Sequence, residues 1–178
     1  MIILLKIFIN ESYKLPKSIY EYCLTHFMYP DYNKAPKGTI YHNTHIENVE
    51  SILKTGLVAS KGRQLEYQGE MTWATTLTNQ KGYGGITIAF TLDGLENKYD
   101  YDKVNDYEYT IYADVPTKNI IFVDLPVVTA TFGELYRLSD IPELIDEYGY
   151  DDVKSVFAEI AEHGTEYVPL DVIMPCIK

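Results

Sequence analysis

The stretch Ile40–Leu57, IYHNTHIENVESILKTGL, predicts a short buried strand, a polar corner and then a helix. Helical spacing gives the helix one apolar stripe that would face the core, formed by Ile46, Val49, Ile52 and Leu53. Thr44 and Glu47 have the spacing of a capping box, in which the threonine hydroxyl accepts a hydrogen bond from the backbone N–H of Glu47. Gly56 suits the position just beyond the last helical turn, so the stretch predicts both ends of its helix.

The corner between this strand and helix carries four polar residues, His42, Asn43, Thr44 and His45. Backbone N–H groups at a helix N-terminus favour a ligand that carries negative charge. We therefore expect the corner to hold part of an anionic ligand. The simpler alternatives are a structural histidine at position 42 and a surface residue at position 45.

The composition predicts one globular domain, because 178 residues suffice for a single core and 46% of them are hydrophobic. The net charge of −11 argues against a broad phosphate-binding face, and so against nucleic acid as a partner. Cys23 and Cys176 lie far apart and are expected to be reduced thiols, as in a cytoplasmic protein. The N-terminal MIILLKIFI is interrupted by Lys6 and predicts a buried strand, not a signal peptide or membrane span.

The order of apolar segments along the chain predicts an α+β fold, without the regular alternation of strand and helix that a parallel sheet requires. Besides the strand before His42, we predict strands at residues 2–9, 71–76, 86–92, 107–115, 119–125, 165–170 and 172–177. Besides the helix after the corner, we predict helices at residues 17–28, 132–138, 141–148 and 151–163. Residues 93–106 are acidic and predict a solvated loop, and Trp73 is expected in the core.

Three polar groups stand at the predicted mouths of strands: the corner at 42–45, Tyr83 between glycine-rich neighbours, and Glu166 after Gly164. A histidine, an aromatic ring and a carboxylate in these places would suit one ligand-binding cleft. Each also has a simpler alternative, since Tyr83 is one of seventeen tyrosines and Glu166 fits a solvated strand position. The histidines and cysteines lack zinc-ligand spacing, so no metal site is expected.

Five short motifs carry a resemblance to a known family: Tyr41-His42-x-Thr44, Ile52-Leu53-x-x-Gly56-Leu57, Thr72-Trp73-Ala74-Thr75, Tyr83 before a strand, and Glu166-Tyr167-Val168. Together they resemble the ADP-ribosyltransferase superfamily, and most closely its His–Tyr–Glu branch, which includes the poly(ADP-ribose) polymerase and diphtheria-toxin-like enzymes. The wording YHNTHIENVESIL is also similar to the DarT-type DNA ADP-ribosyltransferases. The resemblance covers about residues 39–92 and 164–177.

The resemblance implies a split β-sheet core with flanking helices over residues 39–178, preceded by an accessory strand and helix over residues 1–38, within a single domain of residues 1–178. NAD would bind as co-substrate in a cleft between two small sheets. No metal and no covalent nucleophile would be required.

The same resemblance implies a role for each matching residue. His42 would hydrogen-bond the adenosine-side ribose of NAD, and the backbone of Asn43 would hold the nicotinamide carboxamide. Thr44 completes the NAD-binding corner, and Tyr83 would stack on the nicotinamide ring. Glu166 would be the catalytic residue, bonding the nicotinamide-ribose 2′-hydroxyl and stabilising the cationic sugar as nicotinamide leaves.

The implied function is transfer of ADP-ribose from NAD to a macromolecule, in the simplest case a protein, with release of nicotinamide. Two alternatives remain open: NAD hydrolysis with water as the acceptor, and an inactive, acidic protein-binding module. Asn43 stands where many members of the branch have glycine, and Gly164 replaces the first carboxylate of the arginine-modifying pattern. The scarcity of arginine disfavours the related RNA 2′-phosphotransferases. By analogy, a small protein of this type would be an intracellular effector, viral or a bacterial toxin, acting in the cytoplasm.

Overall fold

The computed structural model describes residues 15–61, 70–78, 84–101 and 105–167. The strands of these residues are β1 (Ile40–Thr44), β2 (Ser60–Lys61), β3 (Glu70–Thr75), β4 (Ile86–Phe90), β5 (Tyr99–Tyr101), β6 (Glu108–Ile111), β7 (Ile120–Asp124), β8 (Pro126–Thr129), β9 (Leu135–Arg137) and β10 (Thr165–Glu166). Their α-helices are α1 (Lys17–His26), α2 (Val49–Thr55), α3 (Ile141–Tyr148) and α4 (Tyr150–His163).

The described strands form two antiparallel sheets. The larger has the strand order β5-β6-β3-β1-β4-β7, with β2 attached to β3, and the smaller has the order β10-β8-β9. Helices and antiparallel sheets are not regularly alternated along the chain, so the predicted α+β class is confirmed. The two sheets are joined directly, because β8 begins two residues after β7 ends.

β1 lies between β3 and β4, but the two sides of this strand differ. All five of its residues pair with β4. With β3 it pairs at a single position, where Tyr41 lies opposite Thr75. The β-ladder between β1 and β3 therefore does not extend to His42 and Asn43.

One face of the larger sheet, here called the inner face, holds the main core. Ile40, Ile88 and Phe90 lie on it, and none is more than 2% exposed. All four helices contribute side chains to the same core, among them Tyr20, Cys23, Val49, Ile52, Ile141, Val153 and Phe157. His42 and Thr44 share this face with Ile40, because alternate residues of a strand point the same way.

The opposite face, here called the outer face, is covered over β1, β4 and β7 by the loop that precedes β1. The Tyr32 ring of that loop packs on Tyr41 and Phe122, with ring centroids 5.4 and 5.3 Å apart. Phe27 and Ala35 pack against the same cluster. This loop therefore closes half of the outer face.

Helix α1 packs deeply into the domain. Tyr20 is fully buried, and its hydroxyl donates a hydrogen bond of 2.6 Å to the carbonyl of Pro126. Cys23 is a buried free thiol, and burial raises its pKa to about 12. The thiol is consequently protonated near neutral pH and chemically inert. Cys176 lies outside the described residues.

Residues 126–137 form a β-hairpin, so the predicted helix at residues 132–138 is wrong. Thr129 pairs with Leu135 across the hairpin, and Gly133 takes the left-handed φ of +85° that the connecting turn requires. The paired strands bury Val127 and Val128 completely.

The corner predicted at residues 42–45 is wrong in its extent, because His42, Asn43 and Thr44 belong to β1 and His45 alone separates β1 from the next element. The helix that follows also begins differently from the prediction. A 3-10 turn over Ile46–Asn48 precedes α2, and neither start has a side-chain cap. The capping box is therefore wrong. Instead, the side-chain amide of Asn48 donates to the Thr44 hydroxyl at 3.0 Å. The predicted end at Gly56 is confirmed, since its N–H bonds to the carbonyl of Ile52 at 2.8 Å.

Two further expectations fail in the described part of the chain. The acidic stretch 93–106 contains β5, whose Tyr99 and Tyr101 pack on Tyr109. Trp73 is not a core residue but is 43% exposed, because alternation along β3 turns Thr72 and Ala74 inward. The strands predicted at 2–9 and 172–177 lie outside the described residues. Among the helices that are described, none is long and apolar enough to span a membrane.

We predict that Gly56→Ala destabilises the protein by about 3 kcal/mol or more. Gly56 has a φ of +84°, and an added Cβ would lie 2.0 Å from the backbone oxygen of Val115. Gly94→Ala is the matched control, because φ is +75° there and the Cβ would meet nothing within 4 Å. Its cost should stay near the conformational penalty of about 1 kcal/mol. Equal losses in urea unfolding would contradict this account of the α2 terminus.

Candidate functional site

His42 lies where the ladder between β1 and β3 stops. Its ring Nδ1 is 2.7 Å from the backbone carbonyl oxygen of Trp73 on β3. On the other side its backbone pairs with Ile88 of β4. The imidazole thus makes the connection between β1 and β3 that the missing backbone ladder would have made.

This hydrogen bond determines the tautomer of His42. A carbonyl oxygen can only accept, so Nδ1 must carry the proton and donate. Burial lowers the pKa of His42, against a smaller opposite effect of the bond to Trp73. The ring is therefore neutral near pH 7, which leaves Nε2 as an acceptor. Within the described residues, Nε2 has no hydrogen-bond partner.

Asn43 points to the outer face and is half-buried. Its side-chain oxygen accepts a hydrogen bond of 2.9 Å from the Thr87 hydroxyl. The Thr87 hydroxyl in turn accepts from Nη1 of Arg137 at 3.1 Å. These bonds fix the orientation of the Asn43 amide, whose nitrogen is left as a donor at the edge of the corner.

A row of polar positions crosses the outer face at this level. Asn43 pairs with Thr87, and Thr87 pairs with Asp124 at the buried end. On the other side of β1, Trp73 pairs with Thr110, and Thr110 pairs with Asp100 at the exposed end. Asn43 therefore lies at the boundary between two halves of the outer face, whereas the side chain of His42 lies on the inner face.

Asp124 forms the buried end of the row and is fully buried. Its carboxylate accepts from the Tyr32 hydroxyl at 2.8 Å, and from the hydroxyl and N–H of Ser139 at 2.7 and 3.1 Å. Burial raises the pKa of Asp124, and these hydrogen bonds and the charge of Arg137 oppose the shift. Arg137 is 4% exposed, and its Nε has no partner among the described residues.

The corner beyond β1 packs tightly against the glycines that precede β4. A Cβ on Gly84 would lie 2.0 Å from the carbonyl oxygen of Thr44, so glycine is required for this approach. Between the corner and the smaller sheet lies a cavity of about 20 Å³, lined by residues that include His45, Ile46 and Tyr167. This volume is large enough for one water molecule and too small for a nucleotide.

Glu166 lies on the smaller sheet, where it pairs with Val128 of β8. Tyr167, the next residue, faces the cavity beside the corner. Glu166 instead lines an open groove of about 330 Å³ along α4, together with Lys154, Ala158, Ala161 and Glu162. Neighbouring residues of an extended chain point in opposite directions, so the described structure does not bring the Glu166 carboxylate to His42.

The remaining residues predicted for the site are Asn43, Thr44 and Tyr83. Asn43 and Thr44 follow His42 on β1, as the sequence requires, but Tyr83 lies outside the described residues. No group of three or more His, Cys, Asp or Glu residues is placed to hold a metal ion in the part of the chain that is described.

Sequence reasoning missed the buried polar cluster around Asp124 and Arg137. The signal available was a carboxylate at the end of the apolar run IIFVD, which indicates a buried charge that needs partners. The partners themselves come from distant segments, and no local pattern identifies them.

Comparison of the chain with protein-family models, with curated proteins and with solved structures found no match in any of the three.

We predict that His42→Ala destabilises the protein by about 1–3 kcal/mol, because it leaves the Trp73 carbonyl without its donor. His42→Asn should cost less, because the asparagine amide keeps a donor near the position of Nδ1. Urea unfolding of the three proteins at pH 7.5 measures both changes. Equal losses in the two variants would contradict the role assigned to Nδ1.

The lowered pKa of His42 also predicts a pH dependence. At acid pH the unfolded chain takes up a proton at the ordinary histidine pKa of about 6.5, before the folded chain does. Stability is thus fully present above that pH and is lost as the pH falls through the lowered folded pKa. His42→Asn lacks this loss, so the stability difference between wild type and variant should shrink from pH 7.5 to pH 5. A constant difference would contradict the burial of a neutral ring.

Proposed function

We propose that the protein is a mono-ADP-ribosyltransferase that transfers ADP-ribose from NAD to a protein acceptor, with release of nicotinamide. The observation that carries the proposal is the fixed, neutral imidazole of His42 at the end of the β1–β3 ladder. Its bond to the Trp73 carbonyl, 2.7 Å long, commits Nδ1 and leaves Nε2 as an acceptor. A ribose hydroxyl of NAD is the donor that suits this acceptor.

The residues after His42 suit the rest of the nucleotide. The backbone of Asn43 would hold the nicotinamide carboxamide, while its side chain points to the outer face and accepts from the Thr87 hydroxyl. Thr44 is held by Asn48 and keeps the corner rigid. A preorganised corner of this kind costs little entropy when the ligand binds.

NAD supplies a glycosidic bond whose cleavage leaves positive charge on the nicotinamide-side ribose and gives free nicotinamide. A carboxylate near that ribose would stabilise the charge as it develops, which lowers the barrier. The acceptor nucleophile then bonds to the sugar carbon and loses its proton to solvent. Glu166 is the carboxylate to which we assign this role. The role requires Glu166 and His42 to contact the same NAD molecule. In the described structure Glu166 lines the groove along α4 instead.

The second candidate function is an inactive, acidic protein-binding module. The position of Glu166 favours this function, because Glu166 lines the groove beside Lys154 and Glu162 of α4 and not the surroundings of His42. The exposed Trp73 favours it as well, since an exposed indole is an efficient contact for a partner protein. Hydrolysis of NAD has no separate support and becomes an outcome of the experiment below.

We predict that the purified protein, given NAD labelled in its adenylate part and a cell lysate, labels a discrete protein band and releases nicotinamide. Glu166→Gln should reduce both signals at least a hundredfold, because it removes the charge that stabilises the transition state. His42→Asn should reduce both as well while the protein stays folded, since only the Nε2 acceptor is lost. Glu159→Gln, an exposed carboxylate on α4, is the matched control and should keep full activity.

Three results would change the conclusion. Nicotinamide without any labelled macromolecule indicates the hydrolase. Full activity of Glu166→Gln contradicts the role of Glu166. Neither label nor nicotinamide in several lysates contradicts the enzyme and supports the binding module.

A further inference from the structure

The partly covered half of the outer sheet face carries a group of aromatic and acidic side chains, here called the Trp73 face: Trp73, Asp100, Glu108, Thr110 and Tyr112. The strand register places the first four on one face, because Thr110 lies opposite both Trp73 and Asp100, and Glu108 lies opposite Thr75. The Tyr112 hydroxyl donates to Asp100 at 2.8 Å, which places Tyr112 on the same face.

The two halves of the outer face differ in what covers them. Tyr32 and its loop close the half over β1, β4 and β7, where Tyr41 and Phe122 are buried. Over β3, β5 and β6 the outer face is only partly covered: Trp73 is 43% and Tyr112 48% exposed, whereas Met71 and Thr75 on the same side of β3 are buried. Two large exposed aromatic side chains close together on one sheet face are a feature of binding surfaces rather than of solvated ones.

The charge of the Trp73 face is mainly negative. Asp100 is exposed and Glu108 is half-buried. Neither carboxylate has a basic group within 4 Å among the described residues, and Lys98 lies two residues before Asp100 along the chain. The Tyr112 hydroxyl donates to one oxygen of Asp100 and orients the carboxylate, and the other oxygen accepts no hydrogen bond from the described residues. The net charge of −11 extends this attraction for cations over a longer range.

We propose that the Trp73 face docks a cationic segment of a partner protein, rich in arginine or lysine. A guanidinium group would stack on the Trp73 indole, the ring that interacts most strongly with cations. The carboxylates of Asp100 and Glu108 would accept its N–H groups. Nucleic acid is the wrong occupant, because its phosphates would be repelled by the same carboxylates.

The position of the Trp73 face connects it to the corner. Trp73 presents its indole to the outer face, while its carbonyl holds His42. A segment docked on the indole is consequently one strand away from Asn43. Identifying that segment as part of the ADP-ribose acceptor rests on the proposed function, whereas the docking itself does not.

The test uses intrinsic fluorescence, because Trp73 is the single tryptophan of the chain. The full-length protein is titrated, without NAD, with a hexa-arginine peptide and with a hexa-glutamate peptide. We expect hexa-arginine to change the Trp73 emission saturably, with an affinity that falls as salt is raised from 50 to 300 mM, and hexa-glutamate to have no effect.

The charge variant is Asp100→Asn with Glu108→Gln, which keeps an acceptor for the Tyr112 hydroxyl. Each exposed ion pair is worth up to about fivefold in affinity, so we expect the double variant to bind hexa-arginine about fivefold more weakly or worse. Asp152→Asn with Glu159→Gln on α4 is the matched control, with the same net charge and two exposed positions far along the chain. It should bind within about twofold of wild type.

An unchanged Trp73 emission with hexa-arginine, or an equal weakening in both double variants, would overturn the docking face. That result would leave the proposed reaction untouched, because nicotinamide release is measured without the peptide. Selective weakening in the Asp100 and Glu108 variant supports the docking face even if no nicotinamide is released.

Discussion

The arrangement of the domain depends on the unequal pairing of its central strand. β1 pairs with β4 over its whole length but with β3 at one position. A backbone carbonyl left without a partner inside a domain costs free energy, and the imidazole of His42 supplies the donor for Trp73. The sheet is thereby held together at its centre by a side chain, and that side chain is fixed in one tautomer. The same bond that connects the two strands leaves Nε2 as a hydrogen-bond acceptor.

A row of polar residues crosses the outer face of the larger sheet, from Asp124 at one end to Asp100 at the other. At its buried end, Asp124 is satisfied by Tyr32 and Ser139, and the cluster closes that half of the face. At its exposed end, Asp100 accepts a hydrogen bond from Tyr112 and is exposed to solvent. The row therefore runs from structural polar groups to accessible ones, and the corner lies between them. An enzyme that joins a nucleotide to a protein needs a rigid corner and an open surface side by side.

Local sequence patterns predicted those strands and helices that form whichever segment they pair with or pack against. The β-branched run ITIAF predicts a strand wherever it pairs, and the amphipathic run of α4 predicts a helix wherever it packs. Long-range pairing determined the rest. The 126–137 hairpin competes with a weak helical pattern and prevails because it buries valines, and β5 forms because its tyrosines meet Tyr109. Within the candidate site, the sequence predicted the strand before His42 but not its length, since β1 continues through Thr44. The direction of Glu166 was not predictable, because it depends on how two sheets meet.

The most direct test of the central claim is ¹⁵N NMR of the His42 ring in labelled protein, with and without NAD. The account predicts a protonated Nδ1, an unprotonated Nε2 at neutral pH, and a shift of the Nε2 resonance when NAD is added, since a ribose hydroxyl would then donate to it. His42→Asn identifies the signal by its loss. A protonated Nε2, or an Nε2 resonance that NAD leaves unchanged, would contradict the claim that the sheet prepares this nitrogen for the nucleotide.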